Sequence, residues 1–213
     1  MRALSKRIVT VPATLLILGA ILLTANCGAT RPVKYYTLNS APTPAPSVSI
    51  KNDAPIPATI LVGRISSSPL YLEHPIVYTA GGVELGTYEY HHWAEIPTEM
   101  LETMLAQTLL SEWRFRSVAR MGSGAKGDYI LRGHLYALEE VDAPTLIARF
   151  SLELELFKPK TGLVVWSQSY SHDEPVREKT VPAIVEALRQ NVLAGLGQLT
   201  ASLDAYVSNL SPR

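Results

Sequence analysis

From Leu146 to Leu156 the chain alternates with a period of two, and no other stretch constrains the fold as strongly. The even positions are Leu146, Ala148, Phe150, Leu152, Leu154 and Leu156; from Arg149 on, the odd positions are Arg149, Ser151, Glu153 and Glu155. Successive side chains of a strand point to opposite faces, so one face of this strand is dry and the other wet. Such a strand belongs to a sheet covered on one side only, the habit of antiparallel sheets. The wet stripe also bears on catalysis. Glu153 and Glu155 stand about 7 Å apart along it, and paired carboxylates can cleave glycosides. As members of a regular solvated stripe, they read as sheet surface instead.

The flanking segments fit the same sheet. Thr59–Ile65, His74–Ala80 and Val83–Trp93 are strand-like, the last two joined by Gly81-Gly82, a hairpin turn signal. Pro97 opens a helix at its first turn, where the missing N–H costs nothing. Leu101, Met104, Leu105, Thr108 and Leu109 recur at helical spacing, and Trp113 continues the stripe. Phe115–Arg120, Tyr129–Val141 and Leu163–Tyr170 read as strands. The last helix carries an apolar stripe from Val181 to Leu210 and spans about 45 Å if unbroken. Thr180 is placed to cap it, Pro182 lies in its first turn, and Gly195 and Gly197 make a bend conceivable. Strands, helix, strands, helix is an α+β order: a mainly antiparallel sheet with two helices packed on one face.

The N-terminus is a targeting segment followed by a tether. Arg2, Lys6 and Arg7 precede an uncharged run from Ile8 to Ala25, the form of a signal peptide over residues 1–26. The run ends in Leu23-Thr24-Ala25-Asn26-Cys27-Gly28, which resembles a bacterial lipobox, with Thr24 and Asn26 departing from its preferred residues. Cys27 is the one cysteine of the chain, so no disulfide framework or multi-cysteine zinc site is available. It is the expected lipidation residue, the alternative being an uncleaved single-span anchor with an inert, buried cysteine. Cleavage before it takes Arg2, Lys6 and Arg7 from 19 basic residues and nothing from 19 acidic ones, leaving 16 against 19 and a net charge of −3. An acidic body gains nothing from anionic headgroups, so the anchor is covalent lipid. Gly28 after the cysteine, in place of Asp, resembles outer-membrane sorting for a lipoprotein of a Gram-negative host. Residues 27–57 then comprise Val33–Leu38, a β-prone run read as an added edge strand, and Ala41-Pro42-Thr43-Pro44-Ala45-Pro46, which favours extended polyproline II. The folded body runs over 58–210.

Candidate chemistry is sparse. The balance of charges argues against nucleic acid. The five histidines show no i, i+4 pair, and His91 and His92, as strand neighbours, face opposite ways, so no metal is expected. Gly122-Ser123-Gly124-Ala125-Lys126-Gly127 fails as a phosphate loop: Asp128 stands where lysine is needed, and a strand follows instead of a helix. His172-Asp173-Glu174 fits a loop at the end of a strand. No cofactor or catalytic set is expected. The aromatic run Tyr88-Glu89-Tyr90-His91-His92-Trp93 is more informative. Tyr88, Tyr90 and His92 share one face by alternation and are the candidate partner contacts. Trp93 falls on the other face, either as a further contact or as a core plug between sheet and helix.

Taken in order, Cys27, Tyr35-Tyr36-Thr37-Leu38, the Pro-rich tether, Ile60–Ile65, Pro69–Leu72, Trp93-Ala94-Glu95 before a helix, and Asp128-Tyr129-Ile130-Leu131 resemble the ABC-type transport auxiliary lipoproteins of the PqiC-like family. His92 stands where that family often has arginine. The resemblance implies a non-enzymatic outer-membrane lipoprotein on the periplasmic face, docking onto an MCE-domain protein in envelope lipid transport. It further implies an inner-membrane permease and ATPase in some systems, and a homo-oligomeric ring in the PqiC type. A lipid-binding carrier that holds cargo itself is the alternative.

Overall fold

The alternating run becomes the strand that organises the sheet. In the computed structural model, which describes residues 31–39, 56–111, 115–142 and 144–210, this strand is β7 (Leu146–Lys158), after β1 (Lys34–Tyr36), β2 (Ile56–Ser67), β3 (Pro75–Ala80), β4 (Glu84–Trp93), β5 (Phe115–Arg120) and β6 (Tyr129–Asp142), and before β8 (Leu163–Pro175). Two helices, α1 (Pro97–Ser111) and α2 (Val181–Leu210), complete the fold. Residues 1–26, Cys27, the Pro-rich run and Trp113 lie outside the described residues.

β6 is the spine. One edge pairs antiparallel with β7 along nearly its whole length, and β7 pairs antiparallel with β8. The other edge is shared: its first half takes β2 and its second half β3, both parallel, with β5 beyond β2 and the β4–β1 pair beyond β3. The sheet is mixed α+β and largely antiparallel, because its two longest ladders are antiparallel. β1 is the expected edge strand, laid parallel to β4 with Tyr36 opposite Trp93. Gly81 and Gly82 have φ of 58° and 78°, and the Val83 N–H donates to the Ala80 carbonyl at 3.3 Å, closing a tight turn within a three-residue connection between Ala80 and Glu84.

Two strands run further than hydrophobicity suggests. β2 begins at Ile56, and a register shift against β5 between Ile56 and Thr59 absorbs Pro57, which has no N–H to give. β8 continues to Pro175 through Ser171-His172-Asp173-Glu174, an edge whose polar side chains carry no apolar signal. Both helices cover one face. α1 lies on β2 and β5, α2 on β7 and β8, and the helices touch each other. The even residues of β7 from Ala148 to Leu156 are fully buried beneath them.

α2 is unbroken despite its glycines. Thr180 Oγ1 accepts from the Ala183 N–H at 3.4 Å, capping it. Gly195 has a packing reason: a Cβ there would sit 2.7 Å from Tyr170 Cδ1 and 2.9 Å from Phe150 Cε1. Gly195→Ala is therefore expected to destabilise by about 1–3 kcal/mol through overpacking, despite alanine's better helix propensity. Thermal unfolding checks the sign; Gly197→Ala, with open space around it, should be neutral or stabilising.

Candidate interaction surfaces

The helices leave the second face of the sheet uncovered, and its residues come from alternate positions of β6, β7 and β8. Cross-strand register puts Glu139, Arg149 and Asp173 in one row, and Arg132 and Glu155 in another. Tyr136 is the extra residue of a β-bulge between Leu135 and Ala137, a device that re-aims a side chain. It stands exposed between two shallow polar hollows of about 640 and 480 Å³ and lines both.

The charges on this face are satisfied by one another. Tyr136 Oη donates to Glu153 Oε2 at 2.8 Å and Ser167 Oγ to Glu153 Oε1 at 2.9 Å. Arg132 Nε donates to Glu155 Oε2 at 3.1 Å and its guanidinium lies 5.0 Å over the Phe157 ring. Glu153 and Glu155 are thus committed to neighbours, as a solvated stripe predicts. Arg149 grips Asp173 with both arms, at 2.8 and 2.9 Å.

That pair has a pH signature. Hydrogen bonding from Arg149 holds the Asp173 carboxyl below its ordinary value of 3.8, against an opposing contribution from burial. A depressed folded pKa stabilises above the ordinary value and is lost as pH falls through the folded one. Both side chains are well exposed, so the contribution is well under ~1 kcal/mol. Arg149→Ala should flatten the acid limb of the stability profile below that value by this small amount, read by urea titration at several pH values.

The aromatic run of β4 divides between faces. A register shift between Pro75 and Val77 makes β4 bulge against β3. It brings Tyr88 against His91, ring centroids 5.5 Å apart, and against Tyr78 at 5.3 Å. Tyr88 therefore does not share its face with His92 as plain alternation predicts. It packs on the core, and its hydroxyl donates to Glu140 Oε2 at 2.5 Å; burial first, then that carboxylate, pushes its pKa up. His91 Nδ1 meets the Tyr36 hydroxyl at 2.9 Å, and burial, with Lys34 nearby, holds its pKa down. Trp93 is the core plug of the two readings, 0% exposed. His92 lies on the uncovered face with Tyr35, rings 6.0 Å apart edge to face, and Tyr90 is half-buried.

Several pairings were invisible in sequence. Tyr71, on the 3₁₀ turn Pro69–Leu72, fills the gap where β2 leaves β6 and β3 joins it; its hydroxyl donates to buried Glu139 Oε2 at 2.9 Å. Glu102 of α1 accepts from the Ile65 N–H at 2.9 Å, beside the irregularity in the β2–β6 ladder.

The remaining candidates stay apart. Gly122 and Gly124 have φ of 93° and 80°, and Asp128 Oδ2 accepts from the Thr59 N–H at 3.0 Å, so this loop is a turn closed onto β2. His172 and Glu174 approach to 3.5 Å on the exposed edge strand, with Asp173 engaged by Arg149. Among the described residues no three His, Cys, Asp or Glu side chains converge to hold a metal ion, and no helix is long and apolar enough to cross a membrane.

A family model described as the ABC-type transport auxiliary lipoprotein component matches residues 36–200. No curated protein matches the chain. Among solved structures, protein XCC0632 from Xanthomonas campestris is 22% identical, with a TM-score of 0.66 over 82% of this chain and 99% of that one. An uncharacterized protein is 12% identical, with a TM-score of 0.61 over 81% and 99%. Both likenesses are of fold.

Proposed function

The chain belongs to the ABC-type transport auxiliary lipoprotein family, and from that membership we propose a non-enzymatic, lipid-anchored subunit that docks a periplasmic MCE-domain protein in envelope lipid transport. The anchor is a diacylated Cys27 at the outer membrane. One observation beyond the family carries the docking role: the outer face of β7 and β8, with the first half of β6, is left uncovered by the helices, and an exposed tyrosine is raised there by a bulge between two polar hollows. Tyrosine and arginine are the residues that carry binding energy at interfaces. Tyr136, Arg149, His92 and Tyr90 form the contact in this reading. Trp93 and Tyr88 act from beneath it, by holding β4 in place.

Crosslinking followed by affinity capture should recover an MCE-domain protein, with or without a permease and ATPase, and deletion of the gene should sensitise the envelope to detergent. Capture that yields no such protein contradicts the reading. Tyr136→Ala with Arg149→Ala should cut capture by about tenfold or more, while stability falls by about 1–2 kcal/mol at most. Assembly of copies into a ring belongs to the same proposal, and its readout is the mass of the detergent-solubilised chain. The carrier alternative expects bound lipid in native mass spectrometry. The filled core beneath the helices and the polar lining of both hollows favour docking over carriage.

A further inference from the structure

We infer that the open edge of β8 pairs with the β8 of a second copy, antiparallel and across a two-fold axis at Gln168, so that the sheet continues from one chain into the next. Among the described residues β8 is paired along one side, by β7. An open edge is a template for another strand, and proteins blunt such edges by keeping them short or by placing charge, proline or a bulge on them. The other edges of this sheet are blunted. β1 has three residues and carries Lys34. β5 has six and carries Arg116 and Arg120. The part of β4 beyond β1 carries Glu84 and Glu89. β8 has thirteen residues, and from Leu163 to Ser171 it holds no charge, proline or glycine. One bulge bends its start, where Leu156 meets Trp166 and Phe157 meets Val164, leaving Val165 as the extra residue. From Trp166 to Pro175 the register is regular.

The occupant follows from what the edge displays. Trp166 and Tyr170 stand opposite Leu156 and Leu152, so both face the helices, where they are half-buried against the core. Ser167, Ser169 and Ser171, opposite Glu155, Glu153 and Ser151, face the other way. Gln168 folds its amide onto the neighbouring Ser169 carbonyl, at 3.3 Å. Antiparallel pairing centred on Gln168 sets Trp166 of each copy opposite Tyr170 of the other, an aromatic cross-strand pair made twice, and Ser167 opposite Ser169. It also carries the Asp173-Glu174 end of each strand towards the uncharged Leu163-Val164 end of the other, whose side chains are 61% and 44% exposed. Parallel pairing in register would set Asp173 on Asp173 and Glu174 on Glu174, like charges directly opposed. The short, charged edges offer no such match. A two-fold contact uses the same patch on both copies and closes on itself. It therefore goes beyond the docking reading, and leaves both the Tyr136 surface and the closure of a ring to other contacts.

The test uses the full exported chain, oxidised mildly in the intact cell and after solubilisation in detergent. Residues directly opposite in an antiparallel pair have Cα atoms about 4.5–5.5 Å apart, within disulfide reach. Gln168→Cys, on the axis, should therefore give a disulfide-linked dimer at about tenfold the yield of Ser117→Cys on the β5 edge or of the wild-type chain, whose one thiol is Cys27. Gln168→Lys, at an exposed site, sets two ammonium groups against each other. It should halve the mass of the solubilised chain and leave its far-ultraviolet circular dichroism unchanged. Four outcomes overturn the inference. No dimer from Gln168→Cys refutes the pairing. A disulfide between Gln168→Cys and a different protein in the cell assigns the edge to a partner's strand. Equal dimer yield from Ser117→Cys reduces the crosslink to random collision. A mass unmoved by Gln168→Lys places the contact between copies elsewhere.

Discussion

Replacing Trp93 with alanine is expected to lower stability by about 3–5 kcal/mol, a large share of the 5–15 kcal/mol a domain typically has. The indole is fully buried at the last residue of β4. The backbone around it is held on both sides: its N–H donates to the His74 carbonyl at 2.6 Å, its carbonyl accepts from His74 Nδ1 at 3.1 Å, and the Ala94 N–H donates to the Tyr36 carbonyl at 2.7 Å. A cavity here loosens β1 and the start of α1 together. Trp93→Phe should recover most of the loss. Urea unfolding measures both. A partner-contact role would instead leave stability unchanged and weaken capture, so the two readings separate cleanly.

Asn191 is the second position of large effect. It is a polar residue 1% exposed in the middle of α2. Its amide donates to the Ala148 carbonyl at 3.0 Å and the His172 carbonyl at 2.8 Å, and its Oδ1 accepts from the Tyr170 hydroxyl at 2.9 Å. One side chain thus ties the helix to both β7 and β8. Asn191→Ala leaves a hydroxyl unpaired and takes the amide from two carbonyls, costing about 2–3 kcal/mol. Asn191→Asp, though isosteric, should cost more, because a carboxylate would face two carbonyl oxygens in a buried setting. Tyr170→Phe should cost about 1 kcal/mol, and a double-mutant cycle with Asn191→Ala should show coupling. If aspartate were milder than alanine, this clamp would be misassigned.

The elements readable from sequence are those whose pattern is local. β7, β5 and α2 lie where periodicity and capping residues put them, because alternation, Thr180 and the 3.6-residue stripe are properties of consecutive residues. The sharing of β6 between β2 and β3 is not local, since register between strands leaves no mark on either strand alone. The adjacent Glu139 and Glu140 look like surface charge. They are buried on opposite faces, and their tyrosine partners are 68 and 52 positions away. Alternation puts Tyr88 on the face of His92, and the structure does not, because a bulge changes the parity of a strand without changing its composition. Asn191 lies inside an apolar stripe, where a single buried amide has no signature. The bulge at Tyr136 hid the most prominent side chain of the uncovered face in the same way.

The docking face is tested most directly by a photocrosslinking amino acid placed at Tyr136 in the intact cell, with the same group at Gln198 on the exposed side of α2 as control. The account predicts a light-dependent adduct between Tyr136 and an MCE-domain protein, and none from Gln198. An adduct from Gln198 alone, or from neither position, would contradict it.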